Sequence, residues 1–156
     1  MPARNAQEIA ALIKKAFSGV TLGDGIGLRE AQGLDDHEDA EACATYRASD
    51  EKDDWSRISI DELNACYSSL SFFDAQGMRF HVPAFLIADL NGGYLQDLSF
   101  QLAFLNDYSI AQYALLSPAQ RKAVRIYLQF ILDDERHAIS HPHIVRALDE
   151  YWTDRS

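Results

Sequence analysis

Cysteine is scarce. Cys43 and Cys66 are the whole complement of a 156-residue chain, so no disulfide framework is available, and reduced thiols in a cytoplasm are the expected state. Cations are also in short supply. Lysine and arginine total 14 against 24 aspartates and glutamates, a formal net charge of -10. The averaged field repels phosphate backbones and anionic membrane surfaces, which excludes nucleic acid as a favoured partner and points to a protein partner with a basic surface. Long apolar runs are missing too. Nothing approaches the roughly 18 consecutive apolar residues of a membrane span. The first residues, MPARNAQEIAALIKKAF, space their apolar positions around a helix and do not gather them into a signal-peptide block. No internal repeat or low-complexity segment occurs. These absences predict a soluble cytoplasmic protein.

What remains is apolar enough, at 47% hydrophobic, to build one core, and residues 1–156 read as a single helical domain. Its centre is expected in LSFFDAQGMRFHVPAFLIADL, residues 70–90. Phe80, Ala84, Ile87 and Leu90 fall on one side of a helical wheel and Val82, Phe85 and Leu86 on another. A helix over about 80–90 is therefore apolar nearly all round and needs neighbours on several sides. Pro83 is placed in its first turn, with Asp74 and Gly77 as a preceding turn; a short strand over 78–82 is the alternative. The expected class is all-α, or mostly α, with six or seven helices around this segment.

Ile9, Leu12, Ile13, Ala16 and Phe17 predict a first helix capped by Asn5 and ended at Gly19. The glycine-rich GVTLGDGIGL predicts a loop that lacks the Lys-Ser/Thr ending of a phosphate-binding P-loop. Two weak helices follow between Leu28 and Arg47, separated by Gly33 and the acidic LDDHED. Ser59 and Glu62 form a capping box for a helix carrying Ile60, Leu63, Cys66, Tyr67 and Leu70 on one face. Residues 94–116 have no clean period. Ser117-Pro118-Ala119-Gln120 opens a helix to about Leu132, with Val124, Tyr127, Leu128 and Ile131 inward. A last helix follows Pro142, with Ile144, Val145, Leu148, Tyr151 and Trp152 on its docking face.

Residues able to carry chemistry are few. His137, His141 and His143 have ligand chemistry but unsuitable spacing, because Pro142 interrupts the helix that would align the first two, so no metal site and no cofactor is expected. Asp50, Glu51, Asp53 and Asp54 lie beside Trp55, and an apolar wall raises a carboxyl pKa as general acids require. Consecutive acids seldom straddle a substrate, so Trp55 as a core anchor, with Lys52 and Arg57 balancing the charge, is the simpler reading. Arg79 enters the buried segment and needs a partner, for which Asp74 and the acids before Trp55 are candidates. Asp50, Glu51, Lys52, Asp54, Trp55, Asp74, Arg79 and His81 make up the candidate cluster.

Several of these residues form words. Asp50-Glu51-Lys52 with Asp54-Trp55 gives DEKxDW. Leu70-Ser71-Phe72, Asp74, Gly77, Arg79-Phe80 and Pro83-Ala84-Phe85-Leu86 give LSFxDAxGxRFxxPAFL, and Leu116-Ser117 with Gln120-Arg121 follows. On these residues, over about 17–134, the chain resembles an uncharacterised bacterial family of unknown function. The resemblance implies no activity, substrate or cofactor.

Three functions compete. The leading one is a non-catalytic cytoplasmic binding protein, an immunity-type protein among the forms it can take, whose acidic surface meets a basic partner. The second is a small hydrolase-like enzyme with a carboxylate, arginine and histidine cleft built from the cluster. The third is a self-associating structural domain, for which aromatics in 94–116 supply an exposed patch.

Overall fold

The computed structural model describes residues 5–132 and 134–153, and every regular element among them is helical. The chain runs through α1 (Ala6–Ala16), α2 (Leu28–Asp35), α3 (Ala40–Ser49), α4 (Ile60–Ala65), α5 (Ala75–Leu90), α6 (Leu98–Ala103), α7 (Asp107–Gln112), α8 (Pro118–Ile131) and α9 (His141–Glu150). Short 3-10 turns lie at Trp55–Arg57, Ser69–Ser71 and Glu135–His137.

Helix α5 is the centre. Met78, Phe80, Val82, Phe85 and Leu86 are fully or almost fully enclosed, and α1, α6, α7 and the Trp55–Arg57 turn pack around them. Burying a side chain of this size contributes about 1.5–3 kcal/mol, so this helix supplies a large share of the core energy. Helix α1 bridges α5 and α8, α9 lies on α6 and α8, and α2 with α3 forms a hairpin. The amphipathic elements follow their patterns. Ile9, Ile13 and Phe17 are buried from α1, and Val124, Tyr127, Leu128 and Ile131 from α8. Asn5, Ser59 and Ser117 accept from the backbone amides of Glu8, Glu62 and Gln120, satisfying donors that a helix start leaves unpaired.

The structure corrects several expectations. Helix α5 begins a full two turns before Pro83, because Asp74 accepts from the Gly77 amide and caps it. Asp74 and Gly77 thus belong to the helix start, residues 78–82 are helix and not strand, and Pro83 sits in the interior. There it removes one ladder hydrogen bond to the Arg79 carbonyl, a loss that the surrounding packing overrides. Gly33 lies inside α2, where an added Cβ would stand 3.0 Å from the Tyr46 ring; the break falls at 36–39, with His37 left-handed. Helix α4 ends at Ala65, so Ile60 and Tyr67 are exposed while Leu63, Cys66 and Leu70 are buried. Val145 faces solvent. The stretch 94–116 resolves into α6 and α7, capped by Asp97 and Asn106, each too short for an apolar period to show. Trp152 closes the core, its indole donating to the Leu102 carbonyl at 2.9 Å.

Candidate functional site

The two motif segments meet across one loop. Residues 23–27 run between them, with Asp50–Trp55 on one side and Asp74–His81 on the other.

Asp50 follows α3 and is buried, yet its partners belong to α2. Its carboxylate accepts from the Arg29 amide at 2.9 Å and the Glu30 amide at 3.1 Å, capping α2 from outside its own sequence. Burial pushes its pKa up, and those two amides oppose the shift. Gly27 is required here because a Cβ would fall 2.3 Å from Asp50 Oδ2. Lys52 curls back to the end of α3, and its Nζ donates to the carbonyls of Arg47 and Asp50 at 2.8 Å and Ala48 at 3.3 Å. All three ammonium donors are occupied where the helix dipole favours a cation. Glu51 accepts from the Asp53 and Asp54 amides, and Asp54 caps the Trp55–Arg57 turn. The Ser56 hydroxyl and amide hold the Asp54 carboxyl below its usual value. Trp55 is buried and donates from its indole to the Phe17 carbonyl at 3.0 Å, fixing this segment to the end of α1.

On the other side, Asp74 Oδ1 accepts from Gly77 at 2.8 Å and Ile26 at 3.0 Å, so one carboxylate starts α5 and pins the loop. Gly77 admits the close approach: its Cβ would lie 2.6 Å from the Ile26 carbonyl. Arg47 completes the loop by donating to the Gly23 and Gly25 carbonyls and pairing with Glu30 at 3.6 Å. His81 is fully buried, stacked on Phe73 at 4.3 Å, with Nδ1 2.7 Å from the Gly77 carbonyl. That contact makes Nδ1 the protonated nitrogen and leaves Nε2 a buried acceptor without a partner. Burial pushes its pKa down to about 4 against the weaker pull of Gly77 and Asp74.

Arg79 contradicts the ion-pair expectation. It is half-buried, none of the proposed acids pairs with it among the described residues, and its buried Nε has no hydrogen-bond partner.

The cluster is thus brought near one loop, but as an interlock of backbone caps. An open groove of 550 Å³ is lined by Asp53, Asp54 and Trp55 with Lys14 and Val20, and Asp74, Arg79 and His81 do not line it. Cys66 is buried, which pushes its thiol up to about 11 and away from nucleophilic use. Among the described residues no group of three or more histidines, cysteines or acids is arranged to hold a metal ion. His141 and His143 stand exposed at the start of α9, and the His143 ring lies tilted against Phe104, centroids 3.9 Å apart.

A second polar group was not anticipated. Asp89, buried near the end of α5, accepts from the Tyr127 hydroxyl, whose pKa is driven well above its usual value by burial and then by that carboxylate. Asp97, the α6 cap, stands 3.3 Å from Nδ1 of the buried His137 without forming a hydrogen bond to it. Ser140 lies 3.4 Å from the other Asp97 oxygen, and Ser99 donates to the first. The serine and the histidine both face the aspartate, which is not the relay order of a nucleophilic triad. The only available sequence signal was a lone aspartate ending an apolar helix and another opening a short one.

No curated protein and no solved structure matches the chain. A family model, described as a family of unknown function, matches residues 5–156, a wider span than the motif words cover. The chain belongs to that family of unknown function, DUF6714.

Proposed function

We propose that this protein is a non-catalytic binding protein of the cytoplasm that takes a protein partner with a basic surface. The observation that carries this reading is the state of the candidate cluster. Asp50, Trp55 and Asp74 each hold backbone groups of another segment, Lys52 holds the carbonyls at the end of α3, and His81 is sealed beneath Phe73. A carboxylate that acts as general acid or base must reach a substrate proton, and these reach amides. The net charge of -10 supplies the attraction for a basic partner, and two buried free thiols suit a reducing compartment. An immunity-type role, with a basic toxin as partner, is the narrowest form of the reading.

The test is affinity capture on the immobilised full chain, loaded at low salt and eluted in steps. Recurrent proteins of basic isoelectric point that leave as salt screens the charges are the expected result. Repeated captures with no recurrent protein, or with only acidic and salt-insensitive ones, would overturn the proposal.

A further inference from the structure

The face built by α6 and the turn after α4 differs from the rest of the surface. Tyr67 and Phe100 are 56% and 53% exposed, and both line one depression. Tyr67, Tyr94, Asp97, Phe100 and Gln101 line it, with an open volume of 280 Å³. Tyr108 and Gln101 both hydrogen-bond Ser71, and the Leu95 amide donates to Asn64 of α4, so the rim is tied to rigid elements. Large apolar side chains grouped around a concavity mark an interaction site more often than scattered ones.

The α6 side of this face brings acids and no lysine or arginine of its own. Residues 80–120 contain no lysine or arginine, and their acids are Asp89, Asp97 and Asp107. Asp89 is buried, whereas the Asp97 side chain is 46% exposed in the wall of the depression. Its Oδ1 takes the Ser99 bonds, while Oδ2 has only the long 3.4 Å contact to Ser140 and retains room for a donor from outside. Arg136, next to His137, is held by Asp134 at 3.1 Å.

We infer that this depression is the docking surface for a basic protein segment, with an apolar side chain seated between Tyr67 and Phe100 and an arginine or lysine of the partner on Asp97. The inference rests on the binding-protein reading above and names its surface. The aromatics supply the desolvated anchor that dominates most interfaces, and the carboxylate sets register and sign.

The probe is a fluorescent peptide alternating arginine with leucine, compared with versions carrying glutamate for arginine or serine for leucine. The parent peptide binds the full chain, and both altered peptides bind at least about tenfold more weakly. Asp97→Asn keeps the α6 cap, because asparagine caps as well as aspartate, and weakens the parent peptide by about tenfold. Phe100→Ser, at an exposed position that leaves the fold intact by circular dichroism, does the same, whereas Asp35→Asn at the end of α2 does not. Peptide binding that ignores Asp97 and Phe100, or no binding of any peptide, overturns this surface; the capture experiment is scored separately, so the binding-protein reading can survive that failure. A concentration-dependent dimer in sedimentation that Phe100→Ser disperses would give the face to a second copy and overturn the basic partner.

Discussion

Gly77→Ala lowers the stability of this protein by about 2–3 kcal/mol, as read by urea denaturation with an unchanged slope. The sign is informative because helix propensity alone predicts the opposite. Gly77 lies in the first turn of α5, where alanine is ordinarily better by about 0.5–1 kcal/mol. The packing decides otherwise. An added Cβ would stand 2.6 Å from the Ile26 carbonyl and 2.9 Å from Asp74 Oδ1. The first contact is backbone and cannot rotate away, and relieving it means breaking the Asp74 bonds to Ile26 and Gly77. At about 2–4 °C per kcal/mol for a chain of this size, the melting temperature falls by about 4–12 °C. Gly33→Ala is the control. Its new atom meets side chains alone, the Tyr46 ring at 3.0 Å and Cys43 Sγ at 3.3 Å, which can shift. A stability gain in Gly77→Ala would show that the loop and α5 are not locked together.

The second large effect is in pH. His81 in the folded chain has its pKa pushed down to about 4 by complete burial, from 6.5 in the open chain. The unfolded state therefore binds more protons between these values. The stability held by the neutral ring is complete above about pH 6.5 and is lost as pH falls toward 4, to a total of about 3 kcal/mol. Burial raises the Asp50 pKa, so that group works in the opposite direction, gaining relative stability as it protonates. The comparison that isolates His81 is the difference from His81→Phe, which keeps an aromatic ring on Phe73 and cannot titrate. Denaturant curves at several pH values are expected to converge by about 3 kcal/mol between pH 6.5 and 4, with the wild type losing the more. Parallel curves would mean that the ring is reached by water.

Much of the fold could be read in advance because its signals are local. Asn5, Ser59 and Ser117 cap within three residues, and α1 and α8 are long enough for one apolar face to repeat. The short α6 and α7 have no repeat to display, and the start of α5 turned on whether Asp74 capped a helix or closed a turn, since Pro83 argued for a later start. The motif residues were also visible, but not their work. Asp50 serves amides some 20 residues away in sequence, at Arg29 and Glu30, and no local pattern encodes that. Arg79 shows the converse, since a nearby acid in sequence did not become a partner in space. The meeting of Phe100 and Asp97 with Tyr67 in one depression was not legible, because Tyr67 arrives from the turn after α4.

The charged motif joins α1, α2, α3 and α5 into one frame, through Asp50 on α2, Trp55 on the end of α1 and Asp74 at the start of α5.

Amide hydrogen exchange tests the interlock most directly. The protons concerned are the amides of Arg29, Glu30 and Gly77, bonded to Asp50 and Asp74, and the indole proton of Trp55 on the Phe17 carbonyl. Our account predicts that all four exchange slowly and together, with opening free energies close to that of global unfolding. Exchange of Arg29, Glu30 and Gly77 at the rate of exposed loop amides, while the α8 core stays protected, would mean an open and hydrated cleft and would contradict it.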